Sequence, residues 1–305
     1  MGTLLAKAFH ADGHRVVVVS RAPVTAPWRT IAWDAKTQGP WAFELEGADA
    51  VINLAGRSVN CRYNPANRQD IIDSRVDSTR AIGEAIAKST RPPRVWLQMS
   101  TATIYAHRFD APNDETTGII GGDEARVPET WRFSIDVAKA WETAAKEAEL
   151  PATRQVLLRS AVVMSPDRGG VLDVMLGLIR RRLGGTNGSG RQFVSWIHDA
   201  DFIRAIEWLL HHEDLSGPVN LASPNPLPNA EFMRTLRKTA GVPFGLPAMR
   251  WMLEIGAIFL HTETELILKS RRVVPGRLLD TGFPFEFPTW PEAATDLITR
   301  WRAST

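Results

Sequence analysis

The sequence predicts an α/β protein built on a doubly wound parallel sheet. Residues 16–19, 50–54 and 95–99 are short apolar runs, rich in β-branched side chains, as strands buried on both faces are. Segments with helical periodicity, such as residues 4–9 and 65–88, lie beside these runs in the chain. Strands that alternate with helices are typical of a parallel sheet.

Composition sets broad limits on function. The chain has 305 residues, of which 44% are hydrophobic and 23% charged, enough for one large or two modest domains. A net charge of +2 argues against a nucleic-acid partner, and no apolar run approaches the length of a membrane span. Cys61 is the single cysteine, which excludes an internal disulfide and suits a reducing compartment. We therefore expect a cytoplasmic monomer or homodimer whose partner is a small molecule.

The first residues predict half of a dinucleotide-binding unit. In such a unit a strand runs into a glycine-rich loop, and the last glycine opens a helix whose N-terminus faces the pyrophosphate. Gly2 stands directly before the first amphipathic segment, so Gly2 and Thr3 are predicted to bind the cofactor. The first strand and the earlier glycines of the loop are absent from the sequence.

The end of the next strand indicates which cofactor is bound. Ser20 and Arg21 stand where NAD-specific proteins of this type carry an acidic residue for the ribose 2′-hydroxyl. A guanidinium is a permanently charged, fork-shaped donor that suits a 2′-phosphate. The sequence therefore favours NADP(H) over NAD(H), although a solvated arginine at a strand end would give the same pattern.

Two further strand ends carry candidate site residues. Ligands of an open α/β sheet bind beyond the carboxyl ends of its strands. The strand at residues 50–54 leads to a glycine that permits close backbone approach. The strand at residues 95–101 ends in hydroxyl side chains. The candidates are Asn53, Leu54, Ala55, Gly56, Ser100, Thr101 and Tyr105.

These segments resemble the extended short-chain dehydrogenase/reductase superfamily, and within it the epimerase-like family of NAD-dependent epimerase/dehydratase type with a small extra C-terminal domain. The resemblance implies a Rossmann-type sheet with residues 53–56 beside the adenosine and ribose. Residues 159–166 are similar to the superfamily's Arg-x-x-Asn-x-x-Gly-Pro turn but keep only the arginine and the proline. Arg159 and Ser100 are accordingly predicted to bind the cofactor. The resemblance also implies that a first strand and most of a glycine-rich loop should precede Thr3.

The sequence departs from the superfamily at its acid/base pair. Members carry Tyr-x-x-x-Lys on the helix that corresponds to residues 133–142, and this helix contains no tyrosine. Alignment on Glu142 puts Ser134 at the tyrosine position and Ala138 at the lysine position. Alignment on Lys139 puts Ile135 at the tyrosine position. Either alignment leaves the pair broken.

Two functions remain open on this evidence. In the first, the protein is an NADP(H)-binding oxidoreductase or epimerase-like enzyme for a small carbonyl or sugar-type substrate. Thr101 would then hold the substrate oxygen, and Tyr105 is the candidate acid. In the second, the missing pair marks a catalytically silent dinucleotide-binding or regulatory module. The sequence also leaves open that this chain, which lacks the first strand and the earlier glycines, binds no cofactor.

The second half of the chain predicts a substrate lobe and a small extra domain. Residues 196–201 are similar to the superfamily's Trp-Ile-His-x-x-Asp segment, in which Asp201 would cap the next helix and His198 would hold the loop. No metal site is expected. The predicted domains are residues 1–165, with parts of 190–225 returning to them, 166–240 and 241–305. Within the last domain, residues 247–260 and 262–269 are predicted to be helical, and 272–275 to form a brief strand.

Overall fold

The computed structural model describes residues 1–125, 127–249, 251–254 and 263–304. Its main sheet has four parallel strands in the order β3–β4–β5–β9, and β1 pairs with β2 in a separate parallel sheet. The pairs β6–β8 and β7–β10 are parallel and antiparallel respectively. The strands are β1 Val17–Ser20, β2 Arg29–Ala32, β3 Ala50–Asn53, β4 Val95–Thr101, β5 Arg154–Ser160, β6 Val162–Met164, β7 Phe193–Val194, β8 Trp196–His198, β9 Gly217–Leu221 and β10 Leu227–Pro228.

Helices cover both faces of the main sheet, which confirms the predicted α/β class. One face packs against α1 and α5, and the other packs against α2 and α3. Because both faces are buried, the central residues of both strands are mostly apolar: residues 95–99 of β4 except Gln98, and residues 156–158 of β5. The helices before residue 250 are α1 Gly2–Ala11, α2 Pro65–Lys88, α3 Glu129–Lys146, α4 Val171–Arg180, α5 Asp199–His211 and α6 Asn229–Ala240.

A wide cavity separates the two sheets. Within the described residues, β1 pairs only with β2 and β3 pairs only with β4, so each has one edge without a partner strand. Residues of both strands line a cavity of about 2080 Å³, which also reaches the N-terminal end of α1. The end of this cavity at Gly2, Arg21 and Gly56 lies where the sequence predicts the cofactor, and the rest follows the open edges of β1 and β3 to Arg94 and Arg154.

A second apolar core holds the C-terminal part of the chain together. Side chains of α4 and α6 pack there against the last helix, Trp290–Ala303, and the indole of Trp290 stacks on Phe232 with ring centroids 4.0 Å apart. Two short helices, Glu265–Leu268 and Gly276–Asp280, precede that last helix. No helix of the described part is both long and apolar enough to cross a membrane.

The predicted helices of the tail are only partly present. Residues 251–254 are helical and 247–249 are not, while 250 and 255–262 lie outside the described residues. The second predicted helix is confined to Glu265–Leu268, and the predicted strand at 272–275 amounts to one bridge between Asn113 and Val273. The prediction was wrong here because polar groups of Lys269 and Ser270 bond to the loop after β4 instead of continuing a helix.

The helix cap in the Trp-Ile-His-x-x-Asp segment was also predicted wrongly. Helix α5 begins at Asp199, and Nδ1 of His198 accepts the N–H of Ala200 at 3.1 Å as the cap. Asp201 lies inside the first turn, where its carboxylate accepts the backbone N–H groups of Glu286 and Phe287 at 2.8 and 2.9 Å. The aspartate therefore ties the C-terminal segment to the sheet domain.

Candidate functional site

The cavity collects the N-terminal group of predicted cofactor residues on one wall. The end of α1 that opens on it has no side-chain cap, so backbone N–H groups and the positive end of the helix dipole are available to an anion. The predicted residues that line the cavity are Gly2, Thr3, Ser20, Arg21, Asn53, Leu54, Ala55 and Gly56.

Arg21 is exposed at the point where β1 ends and the cavity opens. Its guanidinium has no hydrogen bond or ion pair to any residue that the structure describes. By contrast Lys36, on the same wall, is paired with Asp77 at 3.0 Å. Arg21 therefore has its donors available for a phosphate group.

Asn53 and Gly56 shape the floor of the cavity. The Asn53 side chain donates to Gln98 Oε1 at 2.8 Å and accepts the N–H of Ala55 at 3.0 Å, which fixes the turn after β3. A Cβ at position 56 would lie 3.3 Å from the guanidinium carbon of Arg75, so the backbone here approaches its neighbour closely. The predicted approach of this turn to the cofactor stays a prediction.

The other predicted site residues lie in a buried polar network at the ends of β4, β5 and β9. Arg159 pairs with both carboxylate oxygens of Glu142 at 2.8 Å, and Ser100 donates to the same carboxylate at 2.7 Å. The Tyr105 hydroxyl accepts from Arg159 at 3.0 Å and donates to Asn220 at 2.9 Å. The network thus satisfies every one of these buried groups.

This placement bears on the predicted roles of the network residues. Ser100 and Arg159 are buried against Glu142. Neither lines the cavity, and the same holds for Thr101, Tyr105 and Lys269. The cofactor-binding role of Ser100 and Arg159 stays a prediction. Burial raises the pKa of Tyr105, against the opposing effect of the Arg159 charge. Thr101 is half-buried, and its hydroxyl accepts the N–H of Thr103 at 3.2 Å.

A second polar group, the Lys269 cluster, consists of Thr103, Ser134, Glu265, Lys269 and Arg271. Nζ of Lys269 donates to the Thr103 carbonyl at 2.7 Å, and Nε of Arg271 donates to the Thr103 hydroxyl at 3.1 Å. Glu265 pairs with Arg271 at 3.2 Å and accepts the hydroxyl of Ser134. The cluster therefore joins the C-terminal segment to the loop after β4 and to α3.

Lys269 has a pKa that is unusually low for a lysine. Lys269 is 2% exposed. Burial and the nearby charge of Arg271 lower its pKa to about 8, although Glu265 and Glu124 act in the opposite direction. His107 faces the same cluster, and its pKa is lowered by burial and by the charge of Lys269.

Sequence reasoning missed both Glu142 and the Lys269 cluster. The burial of Glu142 could have been predicted from the sequence, because Glu142 lies at helical spacing from Ile135, Ala138 and Ala145 on the buried face of α3. A carboxylate on such a stripe must find a buried partner. Lys269 had no such signal, since its partners are distant in the sequence. No group of three or more metal-binding side chains was found in the described residues.

Comparisons with known proteins agree with this architecture. The model of the NAD dependent epimerase/dehydratase family matches residues 1–222, and that of a domain of unknown function, DUF1731, matches residues 250–297. Epimerase family protein SDR39U1 of Homo sapiens is 33% identical over 303 residues, covering 98% of this chain and 96% of the human protein. Epimerase family protein Mb2239 of Mycobacterium bovis is 32% identical over 302 residues, covering 98% and 95%.

Solved structures give the same result. Human epimerase family protein SDR39U1 (isoform 2), solved with NADPH, superposes with a TM-score of 0.83 at 31% identity, covering 98% of this chain and 95% of that one. UDP-N-acetylglucosamine 4-epimerase from Bacillus cereus has a TM-score of 0.73 at 14% identity over 99% of this chain and 95% of that one, which is a likeness of fold. The chain belongs to the NAD-dependent epimerase/dehydratase family.

Proposed function

We propose that the protein is an NADP(H)-dependent oxidoreductase or epimerase-like enzyme that acts on a small carbonyl or sugar-type substrate. The observation that carries the proposal is the exposed guanidinium of Arg21 on the cavity wall, which has no partner among the described residues. The uncapped start of α1 and the turn after β3 line the same cavity, and both are predicted to bind a dinucleotide. The NADPH bound to the human relative supports the same cofactor choice.

Different residues on the cavity wall would bind different parts of the cofactor. Gly2 and Thr3, at the open end of α1, would hold the pyrophosphate. Ser20 and Arg21 would bind the 2′-phosphate, and the turn at residues 53–56 would lie beside the adenosine and ribose. When bound, the nicotinamide supplies or removes a hydride at a substrate carbon.

Residues at the end of β4 would act on the substrate. Thr101 would hold the substrate oxygen, as its position after the strand predicts. The acid role of Tyr105 stays a prediction. Its bonds to Arg159 and Asn220 favour a role in which the phenol holds the strand ends together.

Replacement of Arg21 tests the cofactor assignment. Arg21→Ala should weaken NADPH binding by about 1–3 kcal/mol, the range for losing a charge-assisted hydrogen bond, and leave NADH binding nearly unchanged. Both cofactors are titrated by calorimetry against both proteins. Arg15→Ala is the matched control, because Arg15 is exposed on the same cavity just before β1. Equal losses for NADPH and NADH in Arg21→Ala would contradict the assignment.

The silent-module alternative rests on α3, which carries Ser134 and Ala138 where an acid/base pair is expected. It predicts a protein that binds NADPH and reduces no carbonyl compound. A screen of small aldehydes, ketones and sugar nucleotides with bound NADPH distinguishes the two functions. Turnover of any compound, lost on heat denaturation, favours the enzyme.

A further inference from the structure

We propose that Lys269, carried by the C-terminal segment, is the group that transfers a proton to and from the substrate oxygen in place of a Tyr-x-x-x-Lys pair. This inference rests on the proposed function, because it assigns a residue to the same reaction.

The position of the Lys269 cluster is the first argument. Ser134 is the α3 residue that alignment on Glu142 places at the tyrosine position, and it bonds to Glu265 of the cluster. Lys269 itself is anchored on the carbonyl of Thr103, whose N–H donates to the hydroxyl of Thr101. The lysine therefore lies against the loop where substrates of open α/β sheets bind.

The bonding of Lys269 is the second argument. An ammonium group has three N–H donors. Of the described residues, only Thr103 accepts a hydrogen bond from Nζ, and no described carboxylate lies within the 4.0 Å of an ion pair. Since buried charges are normally paired, two donors without a described acceptor indicate a group that meets a ligand oxygen.

The charges around Nζ suit proton transfer near neutral pH. Arg271 and Glu265 face it from its own segment, and Glu124 and His107 face it from the loops between β4 and α3. Burial and Arg271 lower the pKa of Lys269 to about 8, so both its protonation states are accessible near physiological pH. A catalytic acid is most effective when its pKa lies near the working pH.

The proposed step balances in charge and atoms. In a carbonyl reduction, the carbonyl carbon would receive its hydride from the bound nicotinamide, and the π-electron pair would move to the oxygen. That oxygen takes a proton from Nζ of Lys269, so an N–H bond breaks and an O–H bond forms. The neutral amine then regains a proton from water. In the oxidation direction the neutral amine accepts the hydroxyl proton.

Kinetics with a generic carbonyl probe test the proposal. Reduction of phenanthrenequinone by NADPH is measured from about pH 6 to about pH 10 for wild type, Lys269→Met, Lys269→Gln and the control Lys238→Met, an exposed lysine on α6. We expect both Lys269 variants to lose about a hundredfold or more in kcat, the usual contribution of general acid catalysis, with NADPH affinity within about twofold of wild type. The wild-type rate should fall above about pH 8, and the residual rate of the variants should not.

An NMR titration of the Lys269 side-chain nitrogen gives a readout that does not depend on turnover. We expect it to titrate near pH 8, well below an ordinary lysine. The proposal is overturned if wild type reduces the probe and Lys269→Met does so at a similar rate with the same pH profile. An ordinary lysine pKa in the titration also overturns it. If wild type binds NADPH and reduces neither the probe nor any screened carbonyl, the enzyme proposal itself fails and this inference fails with it.

Discussion

The cavity between the two sheets and the Lys269 cluster differ in how the chain builds them. The predicted residues on the cavity wall come from the first 56 residues, and the cation that would choose the cofactor, Arg21, is exposed. The cluster joins residues that are 166 positions apart, and its lysine is buried. The residues of the cavity wall can therefore be predicted from local sequence motifs, whereas the Lys269 cluster forms only after the C-terminal segment has packed.

The two regions also differ in energetics. An exposed charge such as Arg21 keeps its hydration and needs no partner in the folded protein. Buried charges lose hydration, and only well-placed partners offset that cost. Substitutions in the buried layer should therefore change stability, while substitutions on the cavity wall should change binding alone.

The largest effect is expected at the Glu142–Arg159 pair. Glu142→Gln leaves the guanidinium of Arg159 buried without its counter-charge, and breaking such a pair typically costs about 3–5 kcal/mol of unfolding free energy. Urea denaturation measures the loss. The matched control is Glu147→Gln, which breaks the exposed pair with Arg80 and should cost less than about 1 kcal/mol. Equal losses of unfolding free energy for the two variants would contradict the expected difference between buried and exposed ion pairs.

The next effect is the pH dependence of stability at Lys269. The folded-state pKa of Lys269 is about 8, against an ordinary lysine value of 10.5, so between these pH values the unfolded chain binds more protons than the folded one. The unfolding free energy of wild type should therefore rise with pH in this window relative to Lys269→Met, by on the order of 3 kcal/mol. Denaturation of both proteins at pH values across the window gives the difference, and parallel curves would contradict it.

A smaller effect is expected from Tyr105→Phe. The change removes the donor to Asn220 and the acceptor of Arg159, and an unsatisfied buried group costs about 1–3 kcal/mol. We also expect a smaller loss of probe reduction than in Lys269→Met, because the phenol would hold the strand ends and Lys269 would carry the proton. A rate loss of about a hundredfold or more at pH 7, in a protein that stays folded, would instead assign the acid role to Tyr105.

The smallest effect on stability is expected at Arg21. Arg21→Ala should change the unfolding free energy by no more than about 0.5 kcal/mol, as surface substitutions usually do, even though it weakens NADPH binding. Thermal unfolding without and with NADPH separates the two quantities. A large loss without cofactor would mean that Arg21 has a structural partner in solution.

The sequence by itself determined strands of the sheet and the residues on one wall of the cavity. Apolar runs predict β1, β3 and β4, because strands of a parallel sheet that is covered on both faces are mostly apolar. Gly2, Arg21 and Gly56 could be placed because each is defined by its position next to a strand or helix end. The domain boundaries and the roles of these residues stay predictions.

Only the tertiary structure decided the chemistry at the end of β4. The sequence placed Ser100, Tyr105 and Arg159 near the cofactor, whereas packing of α3 and β9 brought them into a network around Glu142 and Asn220. It also predicted a helix through Lys269, which instead leaves the helix and reaches Thr103. Such contacts carry no periodic signal, because a buried charge is positioned by whichever distant groups satisfy it, and that choice is made only when the chain has folded.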